Sequence, residues 1–215
     1  MLFNKEKYQE ILDFLQFQSS NKVKVVAVSK NHPIEAIYKA VDAGVKIFGE
    51  NRVQEAANKF SDIKKLNQGI ELHLTGPLQT NKVKAALSLF DVFHTLDREK
   101  LAKEFIKHPE EIKNKTFFVQ VNIGEETTKS GVKPTEVNDF LDYCTNVLKL
   151  NISGLMCIPP FKEDPTSHFL LLKEIATQNN LKNLSMGMSD DYKIAILNGA
   201  THIRVGTALF GSRNT

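Results

Sequence analysis

Short apolar runs bounded by polar or turn-forming residues recur along this chain and alternate with stretches of helical period. Val25-Val26-Ala27-Val28 is apolar at every position, which suits a strand covered on both faces better than one with a wet side. Read in this way, strands are predicted over residues 22–29, 45–48, 71–75, 91–95, 116–123, 152–157, 183–187 and 201–205. Helices are predicted between them, over 33–43, 51–66, 79–90, 97–107, 134–148, 166–179 and 190–198, with a short one over 207–212. Another is expected ahead of the first strand, over 3–18, where Tyr8, Ile11, Leu12 and Leu15 share one face. Pro33 and Pro134 stand at first-turn positions and Asp97 at an N-cap position, while Gly44, Gly154 and Gly199 lie at or beside helix-to-strand corners.

Eight strands alternating with helices in 215 residues is the count of a (β/α)8 barrel. A doubly wound open sheet would offer fewer strands and a glycine-rich first turn, whereas the first strand here runs into Ser29-Lys30-Asn31-His32-Pro33. The expected fold is α/β, a single (β/α)8 TIM barrel forming one domain over residues 1–215. Function then belongs at the C-terminal ends of the strands.

Composition removes several alternatives. Hydrophobic residues make up 41% and charged residues 25%, as in ordinary globular proteins. The net charge is only +3, and the lysines are scattered without interleaved aromatics, so no nucleic-acid partner is expected. Met1-Leu2-Phe3-Asn4-Lys5 lacks the apolar core of a signal peptide, and no apolar run approaches the ~18 residues of a membrane span. A cytoplasmic protein is expected, with Cys144 and Cys157 as packing thiols. The six histidines form no HxxxH or HExxH spacing, so no metal is expected. GxxxxGK and GxGxxG loops are absent as well.

The strand ends carry the chemistry. Lys30 closes the first apolar run, where an amine beside a low-dielectric core loses part of its preference for the charged form and becomes a nucleophile for aldehydes. The alternative is a lysine one residue past the strand, pointing into solvent. Gly187-Met188-Ser189 and Gly206-Thr207 follow the last two strands, the loops that commonly hold phosphate in such barrels; ordinary turns with N-caps are the alternative. Counting by two along the last strand puts His202, Arg204 and Gly206 on one face, with Ile203 and Val205 on the other. Arg204 would then project into the mouth toward an acceptor or anion, or form a structural salt bridge inside the barrel. An amine, an anion cradle and a guanidinium in one mouth suggest pyridoxal 5′-phosphate. Its aldehyde would meet Lys30, its phosphate the last two loops and its ring nitrogen Arg204. His73 and His94, near the ends of the third and fourth strands, join the candidate cofactor-binding residues, as do Gly187 and Met188.

The segments AVSK (27–30), FGENRVQE (48–55), HLTGPLQTNK (73–82), FHTLD (93–97), VNIGEETTKSG (121–131), GLMCIPP (154–160), LSMGMSDD (184–191) and RVGTALFGSR (204–213) together resemble the pyridoxal phosphate homeostasis protein family, also called the YggS or proline synthase co-transcribed family. That family is similar in fold to the N-terminal barrel domain of alanine racemases. The resemblance implies Lys30 as the Schiff-base lysine, Asn51 near the cofactor, Ser189, Gly206 and Thr207 at the phosphate, and Arg204 at the ring nitrogen. Lys129, in the KSG segment, is implied as a secondary or transfer lysine, with a solvated loop lysine as the alternative. Arg52 departs from the pattern, since many members carry an aromatic residue there.

With Thr215 ending the sequence just after the eighth helix, no second β-rich domain is expected, and with it goes the racemase tyrosine and dimer interface. The expected function is that of a monomeric protein that binds pyridoxal phosphate as a lysine Schiff base for homeostasis and delivery, without robust catalysis. Its expected partners are the small-molecule cofactor and, transiently, pyridoxal phosphate-dependent apoenzymes. The alternatives are a racemase or decarboxylase acting on a small amino acid, and a cofactor-free lysine-imine enzyme.

Overall fold

Eight parallel strands pair in chain order and close on themselves: β1 (Lys24–Val28), β2 (Ile47–Glu50), β3 (Glu71–Leu74), β4 (Val92–Leu96), β5 (Thr116–Val121), β6 (Ile152–Cys157), β7 (Asn183–Ser185) and β8 (His202–Val205), with β8 paired back to β1. This computed structural model describes residues 2–18, 22–66, 69–161 and 163–212; Met1, Arg213 and Thr215, all used in the sequence reading, lie outside them. Helices α1 (Lys5–Phe17), α2 (Ile34–Asp42), α3 (Val53–Leu66), α4 (Val83–Leu87), α5 (Glu99–Phe105), α6 (Pro109–Ile112), α7 (Val137–Asp142), α8 (Thr166–Gln178), α9 (Tyr192–Leu197) and α10 (Thr207–Phe210) surround the barrel. None of the described helices is long and apolar enough to cross a membrane.

The alternation of side chains along each strand sorts the core into a shell and an interior. Val25, Ala27, Phe48, Leu72, Phe117, Leu155, Ile203 and Val205 pack in the shell cluster shared with the helices. Inside the barrel, the apolar cluster is small: Val92, Phe118 and Met156, with Ile158 against it. Much of what remains inside is polar and buried, including His73, His94, Ser185, His202 and Arg204. Polar groups out of water must be hydrogen-bonded, so this interior has to be a network.

Where boundaries differ from the sequence reading, local hydrogen bonding is the cause. β2 begins at Ile47 because Gly44, at φ +92°, ends α2 and Val45 N–H turns back to the Ala40 carbonyl. β7 stops at Ser185 because Gly187 turns the chain, also at φ +92°. β5 stops at Val121, where Asn122 N–H bonds the Val132 carbonyl across the following loop. The helix expected over 134–148 is a 3-10 turn (Pro134–Glu136), then α7, then a π turn (Tyr143–Val147). The one over 79–90 is a 3-10 turn (Thr80–Lys82) followed by α4, and α6 is an extra short helix opened by Pro109.

Candidate cofactor site at the C-terminal mouth

Lys30 follows β1 by two residues and lines a cavity of about 240 Å³ at the C-terminal ends of the strands. Ser189, Gly206, Thr207, Arg204 and Asn51 line the same cavity, so the groups expected to act together are brought together. Val28 and Ile158 add apolar surface, and Met188, Asp190 and Thr75 complete the lining. Clefts of about 660 and 690 Å³ also exist, but neither gathers a lysine, a buried guanidinium and glycine-rich turns. Convergent chemistry, not size, selects the smaller one.

The loop bearing Lys30 is held from behind. Ser29 N–H bonds the Gly49 carbonyl at 3.0 Å, and Asn31 adopts the left-handed conformation at φ +62°. Lys59, a buried residue of α3, donates to the carbonyls of Ser29 (2.9 Å) and His32 (3.3 Å), which bracket Lys30. The same ammonium pairs with Glu50 (2.7 Å) and Glu55 (2.8 Å). Ser29 Oγ donates to Glu50 at 2.7 Å, and Asn31 N–H donates to Glu55. Burial pushes the Glu50 carboxyl up from its ordinary range, with the Lys59 charge opposing. Glu50, Glu55 and Lys59 thus position the loop bearing Lys30 from the outer face of the sheet. The sequence marks none of the three individually as a site residue; its only signal is charge at helix-facing positions.

Across the mouth, Gly187 is required by both conformation and space. Its φ of +92° is left-handed, and a Cβ there would lie 2.5 Å from that of Ala195. The Gly187 carbonyl accepts from Arg204 N–H at 2.9 Å, so this glycine links the turn after β7 to β8 although it does not itself line the cavity. Ser189 Oγ accepts from Ala208 N–H at 3.2 Å, tying the turn before α9 to the start of α10. Gly187→Ala is expected to cost about 1–3 kcal/mol in backbone strain alone and to displace Ser189. A denaturant unfolding midpoint unchanged from the parent would contradict that. On the neighbouring strands, Thr75 Oγ1 donates to Asn51 Oδ1 at 2.9 Å and orients that amide at the cavity wall.

Arg204 is buried, with Nη1 donating to Ser185 Oγ (2.6 Å) and Nη2 to the Cys157 carbonyl (2.9 Å). Among the described residues it forms no ion pair with a carboxylate; its direct partners are neutral oxygens, and the Asp191 charge acts on it only through space. Burial lowers the pKa of Arg204, but an arginine starts high enough to remain a cation.

Three further expected residues fall elsewhere. His73 and His94 do not line the cavity; both are fully buried inside the barrel and hydrogen-bonded to each other at 2.8 Å. The reason is depth: Thr75, two positions after His73 and just past the end of β3, is the one that reaches the cavity. Lys129 is also outside its lining, pairing with Glu126 and donating to the Pro159 carbonyl at 3.2 Å, which ties two loops together. Cys144 and Cys157 are buried free thiols pushed by burial to about 12, which leaves them as packing groups.

The family model for the alanine racemase N-terminal domain matches residues 6–214. A pyridoxal phosphate homeostasis protein of Aquifex aeolicus is 38% identical over 208 residues, covering 91% of this chain and 90% of the relative. This chain belongs to the pyridoxal phosphate homeostasis protein family. The family resemblance extends to solved structures of PipY from Synechococcus elongatus, 35% identical and covering 94% of this chain and 100% of PipY. The TM-score is 0.81 for PipY without pyridoxal phosphate and 0.79 for PipY with it bound. Alanine racemase from Acinetobacter baumannii shares the fold at 17% identity and a TM-score of 0.73, covering 96% of this chain and 61% of the racemase.

Proposed function

We propose that this chain holds pyridoxal 5′-phosphate in the C-terminal cavity as a Schiff base on Lys30, and that it serves cofactor homeostasis and delivery without robust turnover. The observation that carries this reading is the convergence of Lys30, the Ser189 and Gly206-Thr207 turns, and Arg204 in one small cavity. The donor set fits the group. Hydroxyls and backbone N–H groups of Ser189, Gly206 and Thr207 suit a phosphate, and Val28 and Ile158 suit the faces of a ring. Arg204 keeps further N–H donors beyond the two hydrogen bonds it makes, as an acceptor ring nitrogen requires. PipY, a relative solved with pyridoxal phosphate bound, supports the assignment.

When bound, the cofactor supplies an aldehyde that condenses reversibly with primary amines. Lys30 would offer the primary amine for that condensation, and an incoming amine would release the group by the reverse exchange. Lys30 and Ser189 are only half-buried and Met188 is exposed, so the linkage stays within reach of such an amine. Arg204 is a permanent cation that donates rather than accepts, so it disfavours protonation of the ring nitrogen and leaves the ring a weak electron sink. That argues for a carrier over a racemase or decarboxylase.

The test is spectroscopic and kinetic. Purified protein loaded with pyridoxal phosphate is expected to show a visible imine band that shifts when D- or L-amino acids are added, with no multiple turnover to racemised or decarboxylated product. Arg204→Glu is expected to raise any side activity by permitting ring-nitrogen protonation. Turnover at ordinary enzyme rates, on the order of 1–10³ s⁻¹, would overturn the carrier reading.

A further inference from the structure

A chain of hydrogen bonds crosses the barrel interior from one mouth to the other. At the N-terminal mouth, where the 660 Å³ cleft opens, Lys24 pairs with Glu71 at 3.0 Å, and Glu71 accepts from His73 Nε2. His73 Nδ1 meets His94 Nε2 at 2.8 Å, His94 Nδ1 meets Ser185 Oγ at 2.7 Å, and Ser185 Oγ meets Arg204 Nη1 at 2.6 Å. Arg204 in turn lines the cofactor cavity at the other end.

The two ends dictate the order of every proton between them. Arg204 only donates, so Ser185 accepts from it and gives its own O–H to His94 Nδ1. His94 must then carry its proton on Nε2 and donate to His73 Nδ1, and His73 must donate from Nε2 to Glu71. The opposite order would leave His73 Nε2 without a proton, facing an ionised carboxylate. The His73 hydrogen bond and the Lys24 charge hold the Glu71 carboxyl down to about 2. Each hydrogen bond thus points from the guanidinium toward the carboxylate, the alignment both end charges favour, and such chains polarise cooperatively. The charged or titratable groups facing the two imidazoles are Lys24 on β1, Glu71 on β3, Asp91 ahead of β4, and His202 and Arg204 on β8.

We propose that Ser185, His94 and His73 are positioning residues through which the carboxylate of Glu71, at the far mouth, fixes the Arg204 guanidinium and tunes what it presents to a ligand in the cavity. The two histidines therefore act on the cofactor site at one remove. This inference rests on the cavity being the pyridoxal phosphate site.

A double-substitution cycle on the full chain loaded with pyridoxal phosphate tests it. Glu71→Gln preserves an acceptor for His73 but removes the charge, and is expected to shift the visible band and weaken cofactor binding about fivefold. Ser185→Ala cuts the chain beside Arg204, with an expected loss of about tenfold. In the Ser185→Ala background, Glu71→Gln is expected to change neither band nor affinity, because the connection is gone. An unchanged band and affinity in Glu71→Gln alone, or an equal effect in both backgrounds, would overturn the proposal. A second measurement needs neither variant nor cofactor: nitrogen-15 shifts of the ligand-free protein near neutral pH are expected to show His73 and His94 both as neutral Nε2–H tautomers, and an Nδ1–H tautomer in either refutes the order. Absence of any bound cofactor in the parent protein would refute the assignment of the cavity instead, and the tautomer result separates the two failures.

Discussion

Lys30→Ala is expected to abolish the visible imine band while leaving the barrel folded. Lys30 lies beyond the end of β1 and outside the shell core, so truncating it removes no packing that the sheet depends on. What it removes is the amine in the cavity that also holds Ser189, Thr207 and Arg204. Non-covalent affinity for the cofactor phosphate and ring is expected to persist, because those groups remain. Absorbance spectroscopy beside a thermal melt separates the outcomes: loss of the band with an unchanged melt supports the assignment. A retained band would move the linkage to another lysine, and Lys129 would be examined first.

Lys59→Met is expected to be the most destabilising single change at the site, by about 3–5 kcal/mol, because it leaves a buried carboxylate without its cation. Glu50 is fully buried, and among the described residues Lys59 is the cation paired with it, beside the Ser29 hydroxyl. The effect carries a pH signature. Burial already raises the Glu50 pKa, and loss of Lys59 raises it further, so the folded variant holds its proton to a higher pH than the unfolded chain does. A group whose folded pKa is raised favours folding less as pH climbs above its unfolded value, so the deficit is expected to be larger at pH 8 than at pH 5. Denaturant unfolding at the two pH values measures it, and Lys59→Met combined with Glu50→Gln is expected to recover part of the loss. An equal deficit at both pH values would show that Glu50 is not the source. Cofactor capture is expected to slow as well, since the Ser29 and His32 carbonyls lose their common donor.

The barrel was legible because parallel strands covered on both faces read as continuous apolar runs, and eight of them alternate with helices. Boundaries were less so, and β2 shows why: Val45 is apolar and looks like strand, but Gly44 recruits it to end α2. In the site, Lys30, Ser189, Gly206 and Arg204 could be found because strand ends and a period of two along β8 place them in one mouth. Depth was not legible. His73 on β3 and Thr75 just beyond its end are two positions apart, yet only Thr75 reaches the cavity. Nor could pattern reveal Lys59, whose amine meets the Ser29 carbonyl across 30 residues of sequence, or the link from Ser185 to His94 across 91. Such pairs are fixed by how helices and strands stack around the closed sheet, which local periodicity does not encode.

Borohydride reduction of the full chain incubated with pyridoxal phosphate, followed by intact-mass measurement and peptide mapping, tests the central claim most directly. The account predicts a mass gain of one reduced cofactor per chain, carried on the peptide containing Lys30. A label distributed over surface lysines, or confined to a peptide that lacks Lys30, would contradict it.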